Sequence, residues 1–488
     1  MRYLLVIAAA AVMALTSACT TVGPNYAVPK AAKILQPDLQ GSFVGASDAP
    51  VSRDSVPERW WQLYEDPVLD GLIEDAMTAN TDLRAAAANL ARARAVSAEA
   101  EAAGRPQVAA GAVVERSQES AQSYLLTERL PVWNLADARA GVSYQVDLFG
   151  KIRRATEAAR ADAEATEAAL DVARVSVVGD VTRAYVSACA AGYELAQAQE
   201  TVDLQLRSVA VTTRLAAAGR GTAIDVTRGR ALVDQSRAAI PVFEARRRAA
   251  LYKLVVLTGR PPAQFPKALE SCADLPHLSQ PIPVGDGAAL LKRRPDVRQA
   301  ERSLAAATAR IGVATAALYP SVSIGFSAGS TGLLSDIGES VANFWHLGSL
   351  ISWTFPSGRE RARLAQSDAA ADAALARFDG VVLNALRETE TSLMVYARDL
   401  DRNAALRAAR DEATEAEQQV QRLYRAGRSP YLSTLDARRT RDASDAALAA
   451  SDSQIADDQV SLFLVLGGGW SPRAPLTPVQ PPTRSAGL

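Results

Sequence analysis

Covalent, metal or acid-base chemistry needs a thiol, an imidazole or a carboxylate in suitable company, and this chain is poor in the first two. It has three cysteines and two histidines, His277 and His346. Imidazole and thiolate carry most catalytic triads and transition-metal sites, and neither histidine lies in a cluster at metal-ligand spacing. An enzyme is therefore not expected, and no metal or cofactor is implied. The cysteine with chemistry in prospect is Cys19. It follows Arg2, an apolar stretch from Leu4 to Leu15 and the small residues Thr16, Ser17 and Ala18, the parts of a cleaved export signal over residues 1–18.

A cysteine directly after such a signal reads as a bacterial lipobox, with Cys19 as the lipidated first residue of the mature chain. Each methylene of an acyl chain buried in the membrane then contributes about 0.8 kcal/mol of anchoring. Thr16 stands where lipoboxes usually have Leu, and Thr20 replaces the Asp associated with retention at the inner membrane, so the outer membrane is the expected location. The plainer alternative is an ordinary signal peptide followed by an incidental thiol. Cys189 and Cys272 could pair in an oxidising compartment, but two unpaired thiols are the expectation.

Whatever these residues do must be positioned by a chain of 488 residues whose 53 basic and 54 acidic side chains nearly cancel, so no nucleic acid is implied as partner. After residue 18 no run of roughly eighteen apolar residues occurs, and any membrane crossing must use strands. The chain repeats itself. Asp82 to Val108 aligns without gaps on Asp296 to Val322, pairing Leu90 with Leu304 and Pro106 with Pro320 at a constant offset of 214. RLAAAGRGTAIDVTRGR from Arg214 aligns with RLYRAGRSPYLSTLDAR from Arg422 at an offset of 208, pairing Gly219 with Gly427 and Arg230 with Arg438. Between the halves, Pro261, Pro262, Pro266, Pro276, Pro281 and Pro283 mark a linker that can carry neither helix nor central strand. The expected order is an extended segment over 19–69, a first repeat over 70–259, the linker over 260–286, a second repeat over 287–469 and a tail over 470–488.

Within each half the hydrophobic period switches. Leu72, Ile73, Ala76, Leu83, Ala87, Leu90 and Ala91 recur at helical spacing, whereas Val322, Ile324 and Phe326 alternate with Ser321, Ser323 and Gly325. Val142 to Leu148, Ile351 to Phe355 and, more weakly, Val108 to Val114 alternate too, which gives one hairpin per half, at about 106–149 and about 320–356. From Lys151 to about Ala217 and from Arg359 to about Ala426 the sequence stays helical without proline, and some 65 residues would reach roughly 100 Å. Helices so long and rich in alanine must lie beside others. A barrel has to close in lipid, and four strands do not close: two copies would supply about eight strands with a filled interior, three about twelve with a wider lumen.

The segments CTTVGPNYAVP from Cys19, RWWQLYEDPVLDGLIEDAMTANTDLRAA from Arg59, LYPSVS from Leu318, AGRSPYLSTLDA from Ala426 and LVLGGGW from Leu464 resemble the TolC-like outer membrane factors, most closely the lipoprotein branch of OprM and NodT type. The resemblance covers essentially the whole mature chain in order. It implies a mainly α protein with a membrane β-barrel: a duplicated chain with four strands and long helices per protomer, whose trimer forms a 12-stranded barrel and a periplasmic helical tunnel girdled by an equatorial belt. It also implies a passive efflux conduit for drugs or toxic compounds that docks on a periplasmic adaptor and an inner-membrane pump of RND type. The duplicated turns at Gly219 and Gly427 would form the tunnel's inner tips. By motif position, Asp225 matches an aspartate that holds neighbouring helices together, Tyr424 its partner, and Asp436 an aspartate that faces the constricted pore, with Arg428 as a countercharge. Ser433 and Ser429 depart from the pattern, standing where an aspartate and a basic residue are common. A second reading of Asp225 is a plain helix-dipole partner. Protein secretion through an ATP-driven exporter, or an envelope lipoprotein without a pore, are the alternative functions.

Overall fold

The structure, a computed structural model, describes residues 21–39, 41–264 and 267–468, so Cys19 and the export signal lie outside it, as does the tail from 469 onward. Among the described residues it has the expected class, long helices with four long strands, and two compact units. The first comprises the described residues up to Ala32 with Ala88–Ala168 and Arg298–Gly380; the second comprises Lys33–Ala87, Ala169–Val297 and the described residues from Val381.

In chain order the strands are β1 (Val51–Ser52), β2 (Gln107–Ser117), β3 (Trp133–Val146), β4 (Ile282–Pro283), β5 (Ser321–Leu333) and β6 (Asn343–Ser352). The helices are α1 (Pro67–Ala79), α2 (Thr81–Ala102), α3 (Lys151–Ala217), α4 (Ala223–Arg237), α5 (Ile240–Leu257), α6 (Gly287–Arg293), α7 (Pro295–Ala316), α8 (Gly358–Arg425) and α9 (Tyr431–Val465). The long pair, α3 and α8, has 67 and 68 residues. At a rise of 1.5 Å each is about 100 Å of helix. The helical spacing from Leu72 to Ala91 is carried by two helices, α1 and α2, divided at Asn80, whose side-chain oxygen accepts from the amides of Asp82 and Leu83 while its amide donates to the Leu257 carbonyl. The proline-rich linker is not wholly without regular structure. Ile282–Pro283 forms a two-residue strand parallel to Val51–Ser52, a two-stranded sheet in which every strand is an edge and proline is tolerated.

In the first unit the sheet order is β2-β3-β5-β6, antiparallel throughout and without a bulge in its register. Because side chains alternate, the register sorts them into two faces. On one face Val108, Val142, Phe326 and Leu347 form a row across all four strands, and Val146, Val322 and Ile351 form another. On the other, Ala109, Gly141, Ser327 and His346 make a row, followed by Gly111, Arg139, Gly329 and Phe344. The apolar face is open: Phe326 is 46% and Leu347 68% exposed. Apolar side chains so exposed on a long sheet need an apolar solvent. The outer strands β2 and β6 each keep one unpaired edge.

Chain from the N-terminal segment is fixed to this unit by the buried Arg154. Its guanidinium donates to the carbonyls of Val22 and Gly23 at 3.1 Å and to Asn25 Oδ1 at 2.8 Å, and pairs with Glu157 at 2.7 Å. The Tyr26 hydroxyl donates to Glu301 at 2.5 Å, and burial first, then Glu301, pushes its pKa up. Val22, Gly23, Asn25 and Tyr26, a few residues after Cys19, are thus held by a specific network.

The second unit has the larger core. Trp60, fully buried, stacks on Phe463 with ring centres 4.6 Å apart and meets Tyr64 edge-on, so the aromatic run at residues 60–64 packs rather than binds. Asp66 caps α1 by accepting from the amides of Val68 and Leu69, and the Tyr185 hydroxyl donates to the same carboxylate.

Candidate functional site

The two duplicated turns have the same backbone solution. Gly219 and Gly427 both adopt φ of +69°, a left-handed conformation that strains any residue with a Cβ. In each, the next amide closes the turn by reaching back across the helix end: Arg220 donates to the Leu215 carbonyl and Arg428 to that of Leu423, both at 2.8 Å. The helices that follow start differently. Thr222 and Asp225 form a reciprocal capping box on α4, with the Thr222 amide and hydroxyl donating to Asp225 Oδ2 at 3.1 and 2.7 Å. Pro430 occupies the corresponding cap of α9.

Asp225 is therefore engaged within its own helix start. Tyr424 packs on Tyr431 with ring centres 5.4 Å apart, beside Leu232 and Leu435. Burial, followed by the neighbouring Tyr431 and the Asp225 charge, raises the Tyr424 hydroxyl above its ordinary pKa. Asp436 and Arg428 are exposed, and Asp436 lines a groove of about 790 Å³ together with Phe243, Arg439, Asp442 and Asp445. The structure thus gathers Asp225, Tyr424 and Tyr431 in one region and leaves the Asp436 carboxylate free to face outward.

Sequence reasoning missed a charged lock near these turns. Glu417 of α8 is buried and accepts from Arg438 Nε and Arg441, both at 3.0 Å, across to α9. Beside it Gln205 of α3 donates to Asp442, whose pKa is raised by burial. A buried carboxylate is tolerable only when its lone pairs are filled, and two arginines fill them here. Arg438 does surface in the repeat alignment, but a partner 21 residues away on another helix has no periodic signature.

The expectation of two free thiols is overturned: Cys189 and Cys272 form a disulfide. Cys189 faces fully into the core, and one turn along α3 at Gly192 an added Cβ would lie 2.0 Å from the Cys272 carbonyl oxygen. The linker backbone rests directly on the helix, and that close approach brings the sulfurs together. Glycine three residues after a helical cysteine was the available clue.

A buried carboxyl group on α9 gives the unit a pH dependence. Burial, reinforced by the hydrogen bond and charge of Asp399 and the charge of Asp457, raises the Asp458 pKa to about 6, while a hydrogen bond from Gln454 opposes the rise. An acid held more tightly in the folded chain than in the unfolded one favours folding at low pH, and that contribution is lost as pH climbs from the ordinary carboxylate range through about 6. Asp458→Asn is expected to raise the unfolding temperature at pH 8 and to leave it unchanged at pH 4. Equal shifts at both values in a thermal melt would remove the carboxyl from the account.

Among the described residues no group of three or more His, Cys, Asp or Glu is placed to hold a metal ion, and no helix is long and apolar enough to cross a membrane. His346 lies on the polar face of the sheet, 5.2 Å from the Phe344 ring centre. Comparison with known proteins agrees with the sheet-and-helix architecture. The model of the family described as outer membrane efflux protein matches residues 72–260 and 288–468. The chain is 30% identical to the outer membrane protein OprJ of Pseudomonas aeruginosa over 94% of this chain and 95% of that one. It is 31% identical to the toluene efflux pump outer membrane protein TtgC of Pseudomonas putida over 92% of each. Its fold is similar to that of the outer-membrane channel OprN, with a TM-score of 0.85 and 34% identity over 92% of this chain and 99% of that one.

Proposed function

Because the chain belongs to the outer membrane efflux protein family and is accordingly an outer-membrane efflux channel, we propose that three copies close their sheets into one barrel and pass small molecules through it. The observation that carries this reading is the sheet with one apolar face, one polar face and two unpaired edges. In hydrocarbon each unpaired N–H or C=O costs several kcal/mol, so β2 of one copy must meet β6 of the next. About eight strands would leave a bore filled with side chains and about twelve an open lumen, so conduction favours three copies.

In this reading acyl chains on Cys19 supply a second anchor, and the network of Arg154 holds the segment that leads from it. The turns at Gly219 and Gly427 form the periplasmic mouth, where a periplasmic adaptor and an inner-membrane pump of RND type engage it. The pump supplies the energy and the selection; the channel supplies the path. TtgC serves a toluene efflux pump, and we assign drugs and small toxic compounds to this channel as cargo.

Conductance of the purified protein in planar bilayers tests the proposal: a steady, ion-conducting trimer is expected, and absence of current under every applied voltage from a properly inserted trimer contradicts it. The same recording separates the roles at the mouth. Three Asp436 carboxylates in a ring favour cations, so Asp436→Asn should lower the cation-to-anion permeability ratio severalfold. Tyr424→Phe and Asp225→Asn should increase leak. If Asp225→Asn leaves leak unchanged and only destabilises by about 1 kcal/mol, it is a cap and no more.

A further inference from the structure

We propose that the first unit carries a binding site for a phospholipid headgroup that bears both a phosphate and a primary ammonium. The site is a cavity of about 240 Å³ at the junction where β3 and β6 end and β5, α3 and α8 begin. Such a volume is below the roughly 300 to 1,000 Å³ of cavities that take drug-sized ligands, and it suits a headgroup better than exported cargo.

The lining divides by chemistry. Lys151, Arg359 and Arg363 are exposed cations that form no ion pair among the described residues. Of the two acids, Asp147 is already engaged, accepting from the amides of Ile152 at 3.0 Å and Arg153 at 2.9 Å at the start of α3. Glu360 is not. It is only 7% exposed, lines the cavity, and its Oε2 is buried without a hydrogen-bond partner. A buried carboxylate oxygen without a donor is destabilising, so a donor of positive character is what this position lacks. The surrounding cations meanwhile call for an anion. A phosphate and an ammonium joined by a short link answer both demands in one molecule.

The cavity's place in the fold selects a lipid over a free metabolite. It lies at the ends of the apolar rows, where Val146, Val322 and Ile351 finish the lipid-facing band. Trp353 follows directly after β6, its indole donating to the Leu318 carbonyl at 3.1 Å, and Phe149 stacks on Tyr319 with ring centres 4.6 Å apart. Aromatic rings with a polar tip belong at the headgroup level, and basic pockets at that level hold lipid phosphates. The helices leave from this end of the sheet, so the leaflet concerned is the periplasmic one. The inference rests on the sheet lying in the outer membrane and not on the number of copies in the barrel.

The experiment is lipid retention by the detergent-purified trimer after incubation with mixed vesicles of equal phosphatidylethanolamine, phosphatidylcholine and phosphatidylglycerol, read by native mass spectrometry. Phosphatidylethanolamine is expected to be retained at least tenfold over the other two. Glu360→Gln should erase the preference over phosphatidylglycerol, and Arg359→Ala with Arg363→Ala should abolish retention of all three. Equal retention of the three lipids by the unaltered protein overturns the proposal. So does an unchanged preference in Glu360→Gln, or a trimer of Glu360→Gln that dissociates more readily with no change in lipid, which would make the neighbouring copy the partner of Glu360. Bilayer conductance of the same preparations keeps failure of this site distinct from failure of the channel itself.

Discussion

Removal of the Cys189–Cys272 bridge by Cys189→Ser is expected to destabilise the second unit by about 4 kcal/mol, because it releases a loop whose ends are 83 residues apart. The loop contains the C-terminal part of α3, the turn at Gly219, and all of α4 and α5. Freed, that whole hairpin gains chain entropy when it unfolds. The measurement is the temperature at which the trimer and its helical signal are lost, with and without a reductant. Cys272→Ser and the double variant should fall by the same amount as the single one, and reductant should lower only the unaltered protein. A melting temperature indifferent to both would mean that the constraint contributes nothing in the native assembly.

An arginine on the apolar face of the sheet is expected to have the second large effect. Phe326 lies on central strand β5, in the row with Val108, Val142 and Leu347. A cation at mid-bilayer on a barrel's lipid face costs about 2 to 4 kcal/mol, and a symmetric assembly incurs it once per copy. Phe326→Arg should therefore deplete the chain from the outer-membrane fraction and leave it monomeric. The neighbouring change Ser327→Arg places the same charge on the polar face and should insert normally, with an altered conductance as its only mark. If Ser327→Arg is the depleted variant and Phe326→Arg inserts, the faces have been assigned the wrong way round, and equal partitioning would mean that neither face meets lipid.

The alternation behind that assignment is legible in the sequence. Ser321 to Phe326 alternates so regularly that the strand and its two faces follow from it, and the long proline-free stretches after Gly150 and Ser357 follow as helices because nothing interrupts them. Period and interruption are local properties, and the sequence displays them directly. The bridge between Cys189 and Cys272 is different, since it depends on which side of α3 the linker crosses, and composition says nothing of that. The lock of Glu417 with Arg438 and Arg441 was hidden for the same reason. Asp225 shows the opposite difficulty. Its capping role was legible from Thr222 three residues earlier, but resemblance drew attention to a role between helices, and the single chain shows only the cap.

The polar face of the sheet has an implication for flow. Gly111, Gly141, Gly325, Ser327, Gly329 and Gly348 lie on it, so the bulk that its middle projects into the bore is confined to a few positions such as Arg139, His346 and Phe344. A conduit behaves as resistances in series, and the total is dominated by the narrowest stretch. A wide bore with bulk at only a few positions adds little to that total. Throughput should then be insensitive to modest changes along the barrel wall and acutely sensitive to changes at a constriction elsewhere, which gives the protein freedom to vary its membrane portion without altering the rate at which cargo leaves the cell.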